Sequence, residues 1–172
     1  MNDIYKNIIE RRSIKKYKDI PVPFELVEKI AQAGSYAPNG RGNQSPIIIA
    51  VTDKALRDEL SKINADIMSS DTDPFYGAPC VIVVLADKRF PTYIYDGSLV
   101  MENLMLSANA LGLGSCWIHR AKETFESERG KAILKRLGIE GDYEGIGNCI
   151  IGYADTAPEA KPRKENYIYY VK

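Results

Sequence analysis

A short polar cluster, Arg11-Arg12-Ser13-Ile14-Lys15, carries the side chains with the clearest capacity for chemistry. It places two guanidinium groups, a hydroxyl and an ammonium within five residues. A guanidinium matches a pair of phosphate oxygens, and the hydroxyl can donate to a third. Alternatively, these cations only stabilise the C-terminus of the preceding helix, with Lys16 and Lys18 continuing a solvated basic face. A phosphorylated ligand is therefore one of two interpretations.

The composition predicts a globular protein without a polyanionic partner. The chain has 172 residues, of which 45% are hydrophobic, and Lys plus Arg balance Asp plus Glu at 23 each. This balance predicts no nucleic-acid or membrane partner. Basic residues concentrate at 11–18 and 161–164, which indicates local anion binding instead.

Cysteine and histidine usage points away from metal and disulfide chemistry. Cys80, Cys116 and Cys149 lie in apolar stretches and are expected to be small core residues. A single histidine, His119, provides no histidine-rich metal site, and we expect no metal. The N-terminus does not resemble a signal peptide, and no segment is long enough to span a bilayer. These features favour a cytoplasmic location.

The hydrophobic pattern predicts helices and strands along the whole chain. The runs at 46–51 and 80–86 are typical of strands covered on both faces. Residues 93–112 form the longest predicted helix, apolar almost all round and therefore expected to be central and buried. Asp53 and Thr124 are predicted N-caps. The predicted helices are 3–12, 24–35, 53–69, 93–112 and 124–137, and the predicted strands are 46–51, 80–86, 115–118 and 148–153.

Two segments break this regular pattern. Residues 36–44 are rich in Pro, Asn and Gly and predict a loop. Residues 154–172 are expected to form a C-terminal arm of a single domain spanning 1–172. The arm is first Pro-rich and charged and then apolar at 167–171. An apolar terminal strand needs a partner, either its own sheet or that of a second subunit, and we favour the second subunit.

In combination, four features of the chain resemble the FMN-dependent nitroreductase family. Their order and spacing cover nearly the whole sequence. The resemblance implies an α+β fold with a mixed central sheet flanked by helices. It also implies a tail-exchanged homodimer with FMN at each interface. The four features are the RRSIKKYKD segment at 11–19, the YAPNGR loop at 36–41, MENLMLSA at 101–108 followed by GLGSCWI at 112–118, and IGY at 151–153 followed by KPRK at 161–164.

The resemblance implies which residues bind the phosphate end of FMN. Arg11, Ser13 and Arg163 would hold the phosphate. Either Lys161 or Lys164 would assist them. Both basic clusters of the sequence would therefore serve one group.

The resemblance also implies which residues contact the flavin ring. Arg12 would lie near the ribityl chain and the ring edge. Lys15 would lie at the pyrimidine end, where positive charge stabilises the reduced flavin. A peptide N–H near 119–120 would donate to flavin N5. The other residues implied to contact the ring are Pro38, Asn39 and Gly40 of the partner chain, Asn43, Trp117, Ile118, His119 and Arg120.

The chain departs from the family pattern in three places. Gly42 stands where the family usually has Asn, and Asn43 follows one position later. His119 and Arg120 replace the small residues often seen there. His119 is either a proton donor or structural, and Arg120 either reaches an anionic substrate or is solvated, which we favour. The stretch between 86 and 96 is short where larger members carry a helical lid, which predicts a more open site.

The activity implied by the resemblance is that of an NAD(P)H-dependent flavin oxidoreductase. NADH or NADPH would give a hydride to flavin N5, and a nitroaromatic, quinone, enone or flavin would then take the electrons from the same cleft in a ping-pong cycle. The alternatives are a low-turnover FMN-binding storage or sensing protein, a phosphate-ligand protein without flavin, and a specialised flavin chemistry such as flavin cleavage or dehalogenation. Gly112-Leu113-Gly114 lacks a third glycine and follows a helix, so a Rossmann domain is not expected.

Overall fold

The computed structural model describes residues 3–172. Helices surround one sheet, in agreement with the predicted α+β class. The helices are α1 (Asp3–Glu10), α2 (Phe24–Ser35), α3 (Lys54–Ile67), α4 (Tyr93–Ala110), α5 (Ala121–Glu126) and α6 (Glu128–Arg136), and the strands are β1 (Pro46–Val51), β2 (Cys80–Asp87), β3 (Gly114–Ile118) and β4 (Tyr143–Gly152).

The four strands form an antiparallel sheet in the order β1-β2-β4-β3. The prediction of a mixed sheet is therefore wrong for these strands. Parallel pairing is limited to one isolated bridge between Ser13 and Ser115. No parallel strand develops from it, because the segment after Ser13 changes neighbours and pairs with Ala154 through Tyr17.

The two predicted apolar strands differ in burial. Every residue of β2 is buried, and alternate residues such as Ile82 and Val83 enter two separate cores, one on each face of the sheet. The prediction of burial on both faces is confirmed for β2. It is wrong for β1, whose residues are mostly half-buried and whose Ala50 is exposed. The reason is position, since β1 is an edge strand.

Helix α4 is buried on one side only. Met101, Leu104 and Ala108 are fully buried beneath α2 and against the sheet, whereas Tyr95 is 72% exposed. The prediction of a helix buried all round is therefore wrong for the single chain, because α2 and the sheet cover just one of its faces. Among residues 3–172, no helix combines the length and apolarity that crossing a membrane requires.

The predicted helix 124–137 is two helices. Thr124 lies inside α5 instead of capping a helix, and Ser127 is the N-cap of α6, where its Oγ accepts from the Gly130 amide at 3.1 Å. The extended backbone of Ser127 ends α5 and starts α6. The predicted Asp53 cap of α3 is confirmed, with its Oδ1 accepting from the Leu56 amide at 2.8 Å.

The C-terminal arm is anchored only at its start. Ala154 pairs with Tyr17, and the Lys16 ammonium lies 2.8 Å from the Asp155 carboxylate. Residues 155–172 are all exposed, and the predicted terminal strand does not form within the single chain. The end of the arm therefore does not pair with the sheet of its own chain.

Candidate active site

The basic cluster continues beyond α1 as an extended segment, residues 11–15, beside β3. The Ile14 amide donates to the Ser115 carbonyl at 2.9 Å, and the Ile14 side chain is only 4% exposed. It occupies the space over Gly114, where a Cβ atom would come within 2.8 Å of it. Because neighbouring side chains of an extended segment point to opposite sides, burial of Ile14 turns those on either side outwards.

Arg11 offers donors without acceptors. Its side chain is 22% exposed, yet its Nε and Nη1 atoms are buried and make no hydrogen bond within the described chain. The nearest carboxylate oxygen, on Glu102, is 3.8 Å from Nε. Buried guanidinium donors ordinarily have acceptors, and a phosphate oxygen pair satisfies such a fork. The environment of Arg11 therefore fits a bound phosphate group.

The Arg12 guanidinium, in contrast, donates hydrogen bonds at the C-terminus of α1. Its Nη1 donates to the Ile9 carbonyl at 2.7 Å and to the Arg11 carbonyl at 2.8 Å. These are carbonyls at the C-terminus of α1, where a cation is favoured by the helix dipole. The helix-capping interpretation therefore applies to Arg12, whereas Arg11 keeps buried donors that have no hydrogen-bond partner within the described chain.

One cavity of about 960 Å³ joins the two basic clusters of the sequence. Glu159 also lines it. Lys164 does not line the cavity, and its ammonium lies 5.5 Å from the centre of the Tyr167 ring. The predicted site residues that line the cavity are Arg11, Arg12, Ser13, Lys15, Lys161 and Arg163.

The residues after β3 form an exposed turn beside a second cavity of about 380 Å³. Ile118 is buried, and the Trp117 ring lies 6.2 Å from the exposed His119 ring. Arg120 has a positive φ of 73°, and its guanidinium lies 2.7 Å from the Glu123 carboxylate. This exposed ion pair agrees with the solvated interpretation of Arg120.

The loop at 36–44 lies apart from the large cavity of its own chain. The Gly40 amide donates to Asp96 at 2.9 Å, and the Ser45 hydroxyl donates to the same carboxylate at 2.7 Å. Asn39 lines a separate cavity of about 210 Å³. The structure does not bring Pro38, Asn39, Gly40 or Asn43 to the cavity of the basic clusters.

A loop that the sequence did not predict as part of the site approaches Lys15. The Lys15 ammonium lies 5.5 Å from the centre of the Tyr76 ring, and Tyr76 has a positive φ of 53°. The turn-forming sequence Asp-Pro-Phe-Tyr-Gly at 73–77 does indicate a loop. Without the fold, nothing indicated that this turn lies beside Lys15.

Asp73 organises that loop. Its carboxylate accepts from the Arg57 guanidinium at 2.7 Å, from the Phe75 amide at 2.9 Å, from the Gly77 amide at 2.7 Å and from the Ser61 hydroxyl. Partial burial acts to raise the pKa of Asp73, but these hydrogen bonds outweigh it and hold the pKa below its ordinary value. The ionised carboxylate therefore stabilises the loop that carries Tyr76.

The three cysteines are buried, as predicted. Burial raises the pKa of Cys80 to about 11. Burial also raises the pKa of Cys116, although the nearby Ser13 hydroxyl and the Lys15 and Arg11 charges act against it. A protonated, buried thiol is a poor nucleophile, and Cys116 instead packs in the core on one face of the sheet.

The chain belongs to the nitroreductase family, whose model matches residues 8–75 and 71–153. It is 33% identical over 180 residues to the Bacillus subtilis protein named FMN reductase (NAD(P)H), covering 95% of this chain and 70% of that one. A nitroreductase with bound FMN from Bacteroides fragilis is 26% identical, covers 100% of both chains and superimposes with a TM-score of 0.90. A second FMN-bound nitroreductase, from Desulfitobacterium hafniense, is 28% identical over 100% of both chains, with a TM-score of 0.88. The family predicted from the sequence is confirmed.

Proposed function

We propose that this chain is an NAD(P)H-dependent flavin oxidoreductase that binds FMN. The carrying observation is Arg11, whose buried Nε and Nη1 donors have no acceptor within the described chain and whose side chain lines the cavity shared by both basic clusters. Family membership and the names of the relatives, which include an FMN reductase and FMN-bound nitroreductases, support the same conclusion.

The phosphate would be held by side chains from both walls of the large cavity. Arg11 and Ser13 come from the extended segment beside β3, and Lys161 and Arg163 come from the arm. Lys161 is favoured over Lys164 because only Lys161 lines the cavity. Charge-assisted hydrogen bonds from such a set are strong and directional.

The ring would lie further along β3. Ser13 pairs with Ser115, and His119 follows Ser115 by four residues of extended chain, or about 13 Å. An elongated ligand anchored at Ser13 can therefore extend towards the turn at His119 and Arg120. Lys15 is exposed beside the cavity, so its ammonium is available to stabilise negative charge on the ligand.

Bound FMN would supply a hydride acceptor at N5, taking a hydride from NADH or NADPH and passing electrons to a small nitroaromatic, quinone, enone or flavin in a ping-pong cycle. The chain's own groups bind and orient. Because the short 88–92 connection between β2 and α4 contains no inserted helix, the cleft would stay open to a small acceptor.

We also propose a homodimer. Ile8 and Ile9 of α1 and Ile94, Tyr95 and Leu99 of α4 are apolar yet between 43% and 72% exposed. Large apolar side chains exposed in this number are expected at an interface, and exchange of the apolar arm ends would cover more of them. A second copy would also contribute its 36–44 loop, with Pro38, Asn39, Gly40 and Asn43, to the flavin ring.

The deciding experiment is an absorbance spectrum of the purified protein before and after anaerobic addition of NADH or NADPH. A flavin spectrum that bleaches supports the oxidoreductase. A flavin spectrum that persists with both nucleotides identifies the low-turnover FMN-binding alternative. A protein that stays colourless after incubation with FMN overturns the proposal.

A further inference from the structure

Two buried asparagines converge on one carbonyl of the turn after β3. Asn64 of α3 donates from Nδ2 to the His119 carbonyl at 2.8 Å, and Asn148 of β4 donates to the same oxygen at 3.4 Å. Both side chains are almost completely buried, at 0% and 1% exposure. Two elements of the core thus hold a peptide group that belongs to an exposed turn.

This arrangement leaves polar atoms unsatisfied. The Oδ1 atoms of Asn64 and Asn148 are both buried and have no hydrogen-bond partner within the described chain. An unpaired buried acceptor is costly, and stability alone would favour an apolar side chain at either position. The two donors therefore serve a requirement at His119 that packing does not explain.

The backbone at the same place is strained. Arg120 has a φ of 73°, in the left-handed region that a bulky residue seldom adopts. Strain of this kind persists where surrounding contacts impose it, and it concentrates at functional sites. The two asparagine amides are contacts of that kind, since they hold the peptide that joins His119 to Arg120.

The geometry of that peptide determines where its N–H points. No cis peptide bond occurs among residues 3–172, so the His119 carbonyl and the Arg120 N–H point in opposite directions. The carbonyl points inwards, between α3 and β4. The Arg120 N–H therefore points away from the core, and Arg120 is one of the residues that line the 380 Å³ cavity.

We propose that Asn64 and Asn148 are positioning residues that aim the Arg120 amide at flavin N5, an inference that rests on the proposed function. The donor is the Arg120 amide and not the His119 amide, which belongs to the preceding peptide. An N–H donor at N5 stabilises the oxidised ring, because N5 of that ring accepts a hydrogen bond. It does not stabilise the reduced ring, because N5 of that ring carries a proton. Loss of the clamp should therefore make bound FMN easier to reduce.

The test compares Asn64→Leu with the wild-type holoprotein. We expect Asn64→Leu to bind oxidised FMN about tenfold less tightly and to bind reduced FMN with unchanged affinity. This difference makes the two-electron midpoint potential of the bound FMN about 30 mV less negative. Asn103→Leu is the matched control, because it removes a side-chain amide hydrogen bond of 3.1 Å from α4 to the Ala33 carbonyl of α2 and leaves both hydrogen bonds to the His119 carbonyl in place. The control should lower the melting temperature and leave the potential unchanged.

The outcomes separate this inference from the proposed function. A wild-type protein that takes up no FMN overturns both. FMN-loaded wild type and Asn64→Leu proteins with equal potentials overturn the clamp alone, as does an equal shift in Asn103→Leu. Should Asn64→Leu not fold, Asn64→Ala takes its place.

The wild type provides an independent measurement by NMR. The Arg120 amide proton resonance should shift more than that of His119 when oxidised FMN binds, and an equal or smaller shift contradicts the assignment.

Discussion

The two walls of the large cavity differ in how firmly the fold holds them. The wall at 11–15 is anchored by buried Ile14 and by its hydrogen bond to Ser115. The wall at 158–163 is exposed throughout, and the hydrogen bond of Arg163 runs to Lys161 within the same arm. Both walls carry cations, yet only one is positioned by the core.

This difference predicts how FMN binding and the proposed dimerisation would be linked. A preorganised wall binds without paying to become ordered, whereas the arm must lose conformational freedom when it closes on a ligand. A partner subunit that orders the arm would therefore raise the affinity for FMN, and FMN would in turn favour the dimer.

The largest effect is expected when the end of the arm, beyond the unanchored wall, is removed. Deleting residues 165–172 takes away apolar side chains worth about 1.5–3 kcal/mol each when buried. The dimer should dissociate at least about a hundredfold more readily, and FMN should be lost with it. Sedimentation velocity and flavin content measure the two effects. A truncated protein that stays dimeric and yellow would contradict the exchanged arm.

The second-largest effect is expected on folding stability, when the buried side chain that anchors the wall at 11–15 is shortened. Ile14→Ala removes a buried side chain and should lower the free energy of unfolding by about 2–5 kcal/mol. Ile20→Ala is the control, since Ile20 is 46% exposed and its loss should cost no more than about 0.5 kcal/mol. Urea denaturation of the two variants tests the difference. Equal losses would show that Ile14 is not the anchor.

Arg11→Ala tests the ligand-binding function of the same wall. It should remove a charge-assisted contact worth about 1.5–3 kcal/mol and weaken FMN binding about ten- to hundredfold. Arg12→Ala removes the same charge from the next residue, and should weaken binding less because Arg12 already caps α1. Titration calorimetry compares the two variants. An unchanged FMN affinity in Arg11→Ala would refute the phosphate assignment.

The smallest effect concerns the loop that faces Lys15. The pKa of Asp73 is lowered in the folded chain, so its contribution to stability is present above the unfolded-state pKa of about 3.9 and is lost as pH falls through the lower folded value. Asp73→Asn should cost about 1 kcal/mol at neutral pH, because the carboxylate is partly exposed and its pairing is screened. Unfolding experiments from pH 7 to pH 2 should show the two proteins converging at low pH. Parallel curves would exclude the carboxylate as the cause.

Local signals in the sequence were sufficient for several elements. The unbroken apolar run of β2 predicted a strand buried on both faces, and Asp53 predicted the start of α3. Residue types also predicted the chemistry of the 11–15 cluster, because guanidinium and hydroxyl groups match phosphate in any fold. The break at Ser127 was missed, since the apolar pattern continues across it and only the Ser127 cap separates α5 from α6.

The sequence by itself determined the family and most of the helices and strands, and it predicts anion binding by the two basic clusters, because these depend on residue type and local spacing. Tertiary structure decided which hydrogen bonds each residue makes and which cavity it lines. It assigned Arg12 to the end of α1 and left Arg11 with free donors, and it brought the arm to the same cavity. It also placed Asn64 and Asn148, which are 84 residues apart in the chain, on one carbonyl of a strained turn. Such relations depend on distances between residues remote in sequence, which no local pattern encodes.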